Sequence, residues 1–120
     1  MSKTVNIWQT VERLVVGSAP ADGLFNPYLD VHAEWDRPDA LAIRTRNLKT
    51  YLEAHKPPSG TRLFLLLEAP GPWGCRFSGV PITSEAQLLD PEFPGMGEQS
   101  TVRDEPFGEY SAGIMAPFSV

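Results

Sequence analysis

Glu68 is the residue whose surroundings point most directly to chemistry. It closes an apolar run, Leu63-Phe-Leu-Leu-Leu67, and Ala-Pro-Gly-Pro-Trp-Gly74 follows at once. A continuous apolar run of strand length suits a strand buried on both faces, as in a parallel sheet. In open α/β sheets, ligands bind just beyond the carboxyl ends of the strands. A carboxylate delivered there, into a loop stiffened by Pro70 and Pro72, makes 63–82 the candidate site. The structural alternative stays open: Glu68 could accept loop N–H groups or pair with a cation.

Composition bounds what can surround that segment. A chain of 120 residues makes one small domain, and 42% hydrophobic residues suffice for a core. Proline occupies 12 positions, about twice the usual share of roughly 5%. Long, stiffened loops are therefore expected, mainly at 18–38, 57–60, 70–81 and 90–106. The net charge is −5, from 15 acids and 10 bases, which does not favour non-specific binding to nucleic acid. The densest basic group, Arg44, Arg46 and Lys49, reads as a solvated helix face. Cys75 is the single cysteine, so an intrachain disulfide and an all-cysteine metal cage are excluded. Its place in the candidate loop allows a reactive role, but a small packed thiol in a reducing compartment is the expectation. No apolar run reaches the roughly 18 residues of a membrane span, and no signal-peptide core opens the chain. Cytoplasmic location, no membrane partner and no metal are expected.

The elements that must position Glu68 follow from periodicity. Ile7, Trp8, Val11, Leu14 and Val15 make one apolar face of a helix over 5–16, stopped by Gly17. A loop over 18–37 contains Phe25-Asn26-Pro27-Tyr28, whose aromatics either plug the edge of the core or rim a ligand. Asp36 and Pro38 announce a second helix over 38–55, with Leu41, Thr45, Leu48 and Leu52 on one stripe. His55-Lys-Pro-Pro-Ser-Gly60 ends it and turns into the strand, 62–67. Ser84-Glu-Ala-Gln87 predicts a capping box and a short helix over 84–90. Residues 90–106 read as irregular, and 111–115 as the start of something helical.

Two stretches carry a family resemblance. Glu68-Ala-Pro-Gly71 with Pro-Trp-Gly74, then Ser78-Gly-Val-Pro-Ile82, resembles the uracil-DNA glycosylase superfamily. The iron–sulfur branch has Gly-Glu-Ala/Gly-Pro-Gly after its first core strand; Leu67 stands in place of the first Gly. The single-strand-selective monofunctional branch has Asn-Pro-Gly-Pro-Trp/Phe-Gly, then Thr-Gly-Val-Pro-Phe-Gly. Ala69 takes the Asn place and Ile82 the Phe place. The likeness is strongest over 63–89. The cluster cysteines and the His-Pro-type second motif are not among these residues, so the chain reads as the N-terminal part of a superfamily member.

The resemblance implies an α/β fold, a three-layer α/β/α domain with a short parallel sheet, spanning 1–120 and incomplete. It implies DNA as partner, uracil-containing and in one branch single-stranded, and hydrolysis of the glycosidic bond of a flipped base without a cofactor. Such a pocket needs donors for the base carbonyls, a surface for stacking and an acceptor for water. Glu68 is then the catalytic acceptor. Ala69, Pro70, Gly71, Pro72, Trp73, Gly74, Phe77 and Ile82 line the base pocket, with Phe77 supplying the stacking that Ile82 cannot. The structural readings are core packing for Trp73 and Phe77 and turn geometry for the glycines. Arg76 either contacts a phosphate or is a solvated surface residue. The alternative function is a catalytically inactive truncated remnant, or a nucleic-acid or small-molecule binding module, that keeps only the base-pocket loop.

Overall fold

The computed structural model describes residues 7–17, 23–54, 71–93 and 97–108. Helix α1 covers Ile7–Val11 and runs directly into a π-helical turn, Glu12–Val16. Helix α2 covers Ala40–Ala54, α3 Cys75–Ser78 and α4 Glu85–Leu88. Among the described residues the only β pairing is one antiparallel bridge, Asp36 to Thr101. The expected three-layer α/β/α domain with a parallel sheet is therefore not the architecture. The expected strand over 62–67 and the helix at 111–115 lie outside the described residues. No helix among the described residues is long and apolar enough to cross a membrane.

The segment 77–79 packs without a sheet because of how its backbone carbonyls are satisfied. Buried carbonyls must find donors, and in a sheet the neighbouring strand supplies them. Here side chains do. The carbonyl of Phe77 accepts from Ser100 Oγ at 2.6 Å, that of Ser78 from Asn47 Nδ2 at 2.9 Å, and that of Gly79 from the Tyr28 hydroxyl. Three successive carbonyls are thus held from three separate parts of the chain, with no ladder.

Helix α2 is the floor of this arrangement. Its buried residues are Ala40, Ile43, Arg44, Asn47 and Leu48, an i, i+3, i+4, i+7, i+8 recurrence that is one helical face. The stripe expected from apolar residues shares only Leu48 with it; Leu41, Thr45 and Leu52 are half-buried. Two of the five inward positions are polar, with Arg44 0% and Asn47 1% exposed, so hydrophobicity points to a neighbouring face. Arg44 is not the solvated residue the composition suggested. Arg46 is, in an exposed pair with Glu98 at 3.3 Å.

The expected apolar face of the first helix is only partly used. Trp8 and Val16 line a groove with Leu41 and Thr45 of α2, and Lys49 Nζ lies 5.8 Å from the Trp8 ring centre. Leu14 and Val15 are exposed. The π-helical turn wraps more residues per turn than an α-helix, so residues after Val11 rotate off the stripe. Gly17 ends the segment, its N–H donating to the Glu12 carbonyl at 2.9 Å, with right-handed rather than left-handed backbone. The capping box at α4 forms as the sequence predicts: the Gln87 N–H donates to Ser84 Oγ and the Ser84 N–H to Gln87 Oε1.

Gly79 shows how closely the loop approaches α2. Its φ is +77°, and a Cβ there would lie 2.7 Å from the Arg44 carbonyl oxygen and 2.9 Å from its Cα. Neither contact can be relieved by turning a flexible side chain. Gly79→Ala should cost about 2–5 kcal/mol, combining left-handed strain with overpacking. Denaturant titration should show a lower midpoint at an unchanged slope.

Candidate functional site

The described part of the candidate loop, 71–82, begins by closing on itself. The Gly71 carbonyl accepts from the N–H groups of Gly74 at 3.3 Å and Arg76 at 3.2 Å. Gly74 then stands at the N-cap of α3, and its carbonyl accepts from Phe77 and Ser78. Gly74 therefore spends its N–H inside the loop. Beyond α3, Ser78 Oγ donates to the Thr83 carbonyl at 2.7 Å and accepts from the Val80 N–H at 3.0 Å. Ile82 lies between these anchors with φ +55°, in the left-handed region that a β-branched residue rarely enters.

A buried charge cluster fixes this loop to the rest of the chain. Asp36 is 4% exposed. Its carboxylate accepts from Arg76 Nη1 and Nη2 at 3.3 and 3.1 Å and from the His32 N–H at 2.8 Å. The fully buried Arg44 pairs with Asp36 Oδ1 through Nη2. Arg44 also donates from Nε to Ser100 Oγ at 3.2 Å and from Nη1 to the Pro27 carbonyl at 3.0 Å. Burial acts to raise the Asp36 carboxyl, but hydrogen bonds from Arg44, the His32 N–H and Arg76, with the charge of Arg44, outweigh it and hold it below the ordinary carboxylate range. For Arg44 burial wins, and its guanidinium is lowered despite Asp36.

A second buried carboxylate holds the 97–108 segment. Glu85 is 0% exposed. It accepts from the N–H groups of Ser100 at 2.6 Å, Thr101 at 3.3 Å and Phe107 at 3.5 Å, and from the Thr101 hydroxyl at 2.9 Å. The Ala86 N–H returns a bond to the Phe107 carbonyl at 3.0 Å. One side chain thus turns an irregular segment into a fixed wall beside α3.

Aromatic rings and guanidinium groups fill the space between loop and wall. Phe77 is buried and stacks on Phe107, with centroids 4.2 Å apart and planes 9° from parallel. The Arg76 guanidinium lies 4.5 Å from the Phe77 ring centre and 4.1 Å from that of Phe25. Arg76 is ion-paired to Asp36 and lies against two rings rather than standing free in solvent. Trp73 is 51% exposed, its ring 5.3 Å from Phe107.

Of the residues that sequence assigned to the site, Glu68, Ala69 and Pro70 lie outside the described residues. Trp73 and Phe77 are brought together around Phe107. Pro72 is exposed, Gly71 half-buried, Gly74 buried and Ile82 half-buried. Tyr28 and Phe25 divide the two readings of their tetrapeptide. Tyr28 is buried, and its hydroxyl is raised above the ordinary range, first by burial and then by the charge of Cys75. Phe25 is 40% exposed and rims the stack. Sequence reasoning missed Asp36 as an ion-pair centre, and Trp35, Arg103 and Phe107 altogether. The closest signal was the placing of a charged residue, Asp36, beside an aromatic one. No group of three or more His, Cys, Asp or Glu among the described residues is arranged to hold a metal ion.

Comparison of the chain with protein-family models, curated proteins and solved structures finds no match. The functional reading therefore rests on the residues themselves.

Because the Asp36 carboxyl titrates lower in the folded chain than the roughly 3.9 of an unfolded one, its contribution to stability is complete above that value. It is lost as pH falls through the folded value. Thermal unfolding should show a steep loss of stability below about pH 4. Asp36→Asn should blunt that loss and cost about 3–5 kcal/mol at neutral pH, because two guanidinium groups lose their shared partner. An unaltered acid profile in Asp36→Asn would rule out this assignment.

Proposed function

We propose that this chain belongs to a DNA-repair glycosylase of the uracil-excising type, and that the segment 68–82 forms its base pocket. The observation that carries the reading is the way the loop is held. Side chains from α2, from the loop at Tyr28 and from Ser100 take the carbonyls of Phe77, Ser78 and Gly79. Asp36 holds Arg76 through two hydrogen bonds. A pocket that recognises a flipped base works best when its donors are set before the substrate arrives. The motif residues on either side, Glu68-Ala-Pro-Gly71 and Ser78-Gly-Val-Pro-Ile82, are those of the resemblance.

In this proposal the N–H groups of Gly71 and Trp73 face the base carbonyls. Glu68 accepts a proton from water as the water oxygen bonds to C1′ of the sugar. The C1′–N1 bond breaks, the base leaves with its electron pair, and protonation at nitrogen completes its release. No metal or redox group takes part.

A second reading, binding without turnover, is favoured by one observation. Both the Gly74 N–H and the Phe77 ring are engaged within the protein, which leaves fewer groups for a reacting base. Incubation with a uracil-containing single-stranded oligonucleotide, followed by alkaline cleavage of abasic sites, separates the two. The proposal expects cleavage, reduced about 10²–10⁴-fold in Glu68→Gln. Tight binding with no cleavage by the unaltered chain would favour the binding module.

A further inference from the structure

Phe107 is 6% exposed, and four side chains converge on it. Phe77 stacks at 4.2 Å and the Arg103 guanidinium lies 4.0 Å from the ring centre. Trp73 and Trp35 lean on it with centroids at 5.3 and 5.8 Å and interplanar angles of 32° and 52°. Trp35 is fixed there by its place next to the Asp36–Thr101 bridge and by its carbonyl, which accepts from the Val102 N–H at 3.0 Å. Both tryptophans keep large ring surface in water, 40% and 51% exposed. On the far side the layers continue from Phe77 through Arg76 to the exposed Phe25. The π surfaces and cations thus run from one exposed rim, through a buried centre, to another.

We infer that this rim is a stacking surface for unpaired bases of single-stranded DNA flanking the base held by the 71–82 loop. The inference rests on the proposed DNA substrate, but not on turnover. Unpaired bases offer flat faces that aromatic and guanidinium planes accept regardless of sequence. Bases inside a duplex have no such faces to offer. Charge does not supply the affinity. The net charge is −5, and Asp104 and Glu105 follow Arg103 directly, so phosphate attraction is weak here. Arg103, whose guanidinium lies over Phe107, is an exposed cation of this rim. Affinity should come from stacking, with a shallow dependence on salt.

The test is fluorescence anisotropy of a labelled oligothymidylate 12-mer, which contains no uracil, titrated with the whole chain. Trp35→Ala should weaken binding roughly 5-fold to 150-fold, and Trp35→Phe should restore most of it. A duplex of the same length should bind at least about tenfold more weakly, and log Kd against log salt should have a slope magnitude of about 1 or less. Circular dichroism of Trp35→Ala must match the parent, and Trp35→Phe serves as the folded control. No binding, equal binding of the duplex, or unchanged affinity in Trp35→Ala at an intact fold overturns the inference. The base-pocket reading fails separately. Uracil release with no effect of Trp35→Ala removes only the stacking surface. Trp35-dependent binding with no uracil release removes only the glycosylase.

Discussion

The Asp36 carboxylate, nearly closed off from water, is shared by two guanidinium groups from different helices. Arg44 comes from α2 and Arg76 from α3. Taking three charges out of water is costly, and the attraction between them offsets that cost only when the remaining donors also find acceptors. Arg44 Nε and Nη1 do, on Ser100 Oγ and the Pro27 carbonyl, which ties the 23–37 loop and the 97–108 segment to the same point, while Nη2 has the Asp36 ion pair alone. Loss of any one member strands a buried charge. The position of the 71–82 loop against α2 is therefore tied to an interaction that tolerates little displacement.

Arg76 carries that constraint into the aromatic stack. Its two hydrogen bonds to Asp36 fix the plane of the guanidinium as well as its position. Phe25 and Phe77 then take the geometry of that plane, and Phe107 takes the geometry of Phe77. A lysine could match the charge but would present no plane. Glu85 acts from the opposite side, since its bonds to Ser100, Thr101 and Phe107 hold the last ring in place. Two buried carboxylates thus clamp one stack, and the exposed tryptophans at its rim inherit an order that surface side chains lack by themselves.

The sequence was legible where a local rule decides the outcome. Ser84 and Gln87 announced a helix start because a capping box needs only four residues. Asn26 formed the turn its tetrapeptide suggested, its Oδ1 accepting from the Tyr28 N–H at 2.9 Å. The extent of α2 followed from its composition and the flanking prolines. Its inward face did not, because Arg44 and Asn47 occupy core positions that a hydrophobic pattern assigns to solvent. The sheet was not legible because an apolar run signals burial but does not name the partner that satisfies its backbone; among the described residues, side chains take the carbonyls of Phe77, Ser78 and Gly79. In the candidate site, sequence singled out Trp73 and Phe77, whereas Trp35 and Phe107 join them only through long-range contacts.

Ile82 draws these threads together. Its left-handed backbone costs a β-branched residue on the order of 1–3 kcal/mol, and such strain persists only where the surroundings leave no alternative. The surroundings here are explicit. Ser78 Oγ holds the Thr83 carbonyl, Thr83 Oγ1 donates to the Pro81 carbonyl at 2.9 Å, and Ser84 is locked into its capping box. The chain enters Ile82 from one fixed residue and leaves into another, so the turn between them has no freedom to relax. In the resemblance this place belongs to a ring that stacks on the base. An aliphatic residue supplies less dispersion and no π face, yet it keeps a backbone that glycine would adopt more easily. Glycine would serve this turn at lower cost, so the strain at Ile82 is carried by the fixed bonds on either side of it.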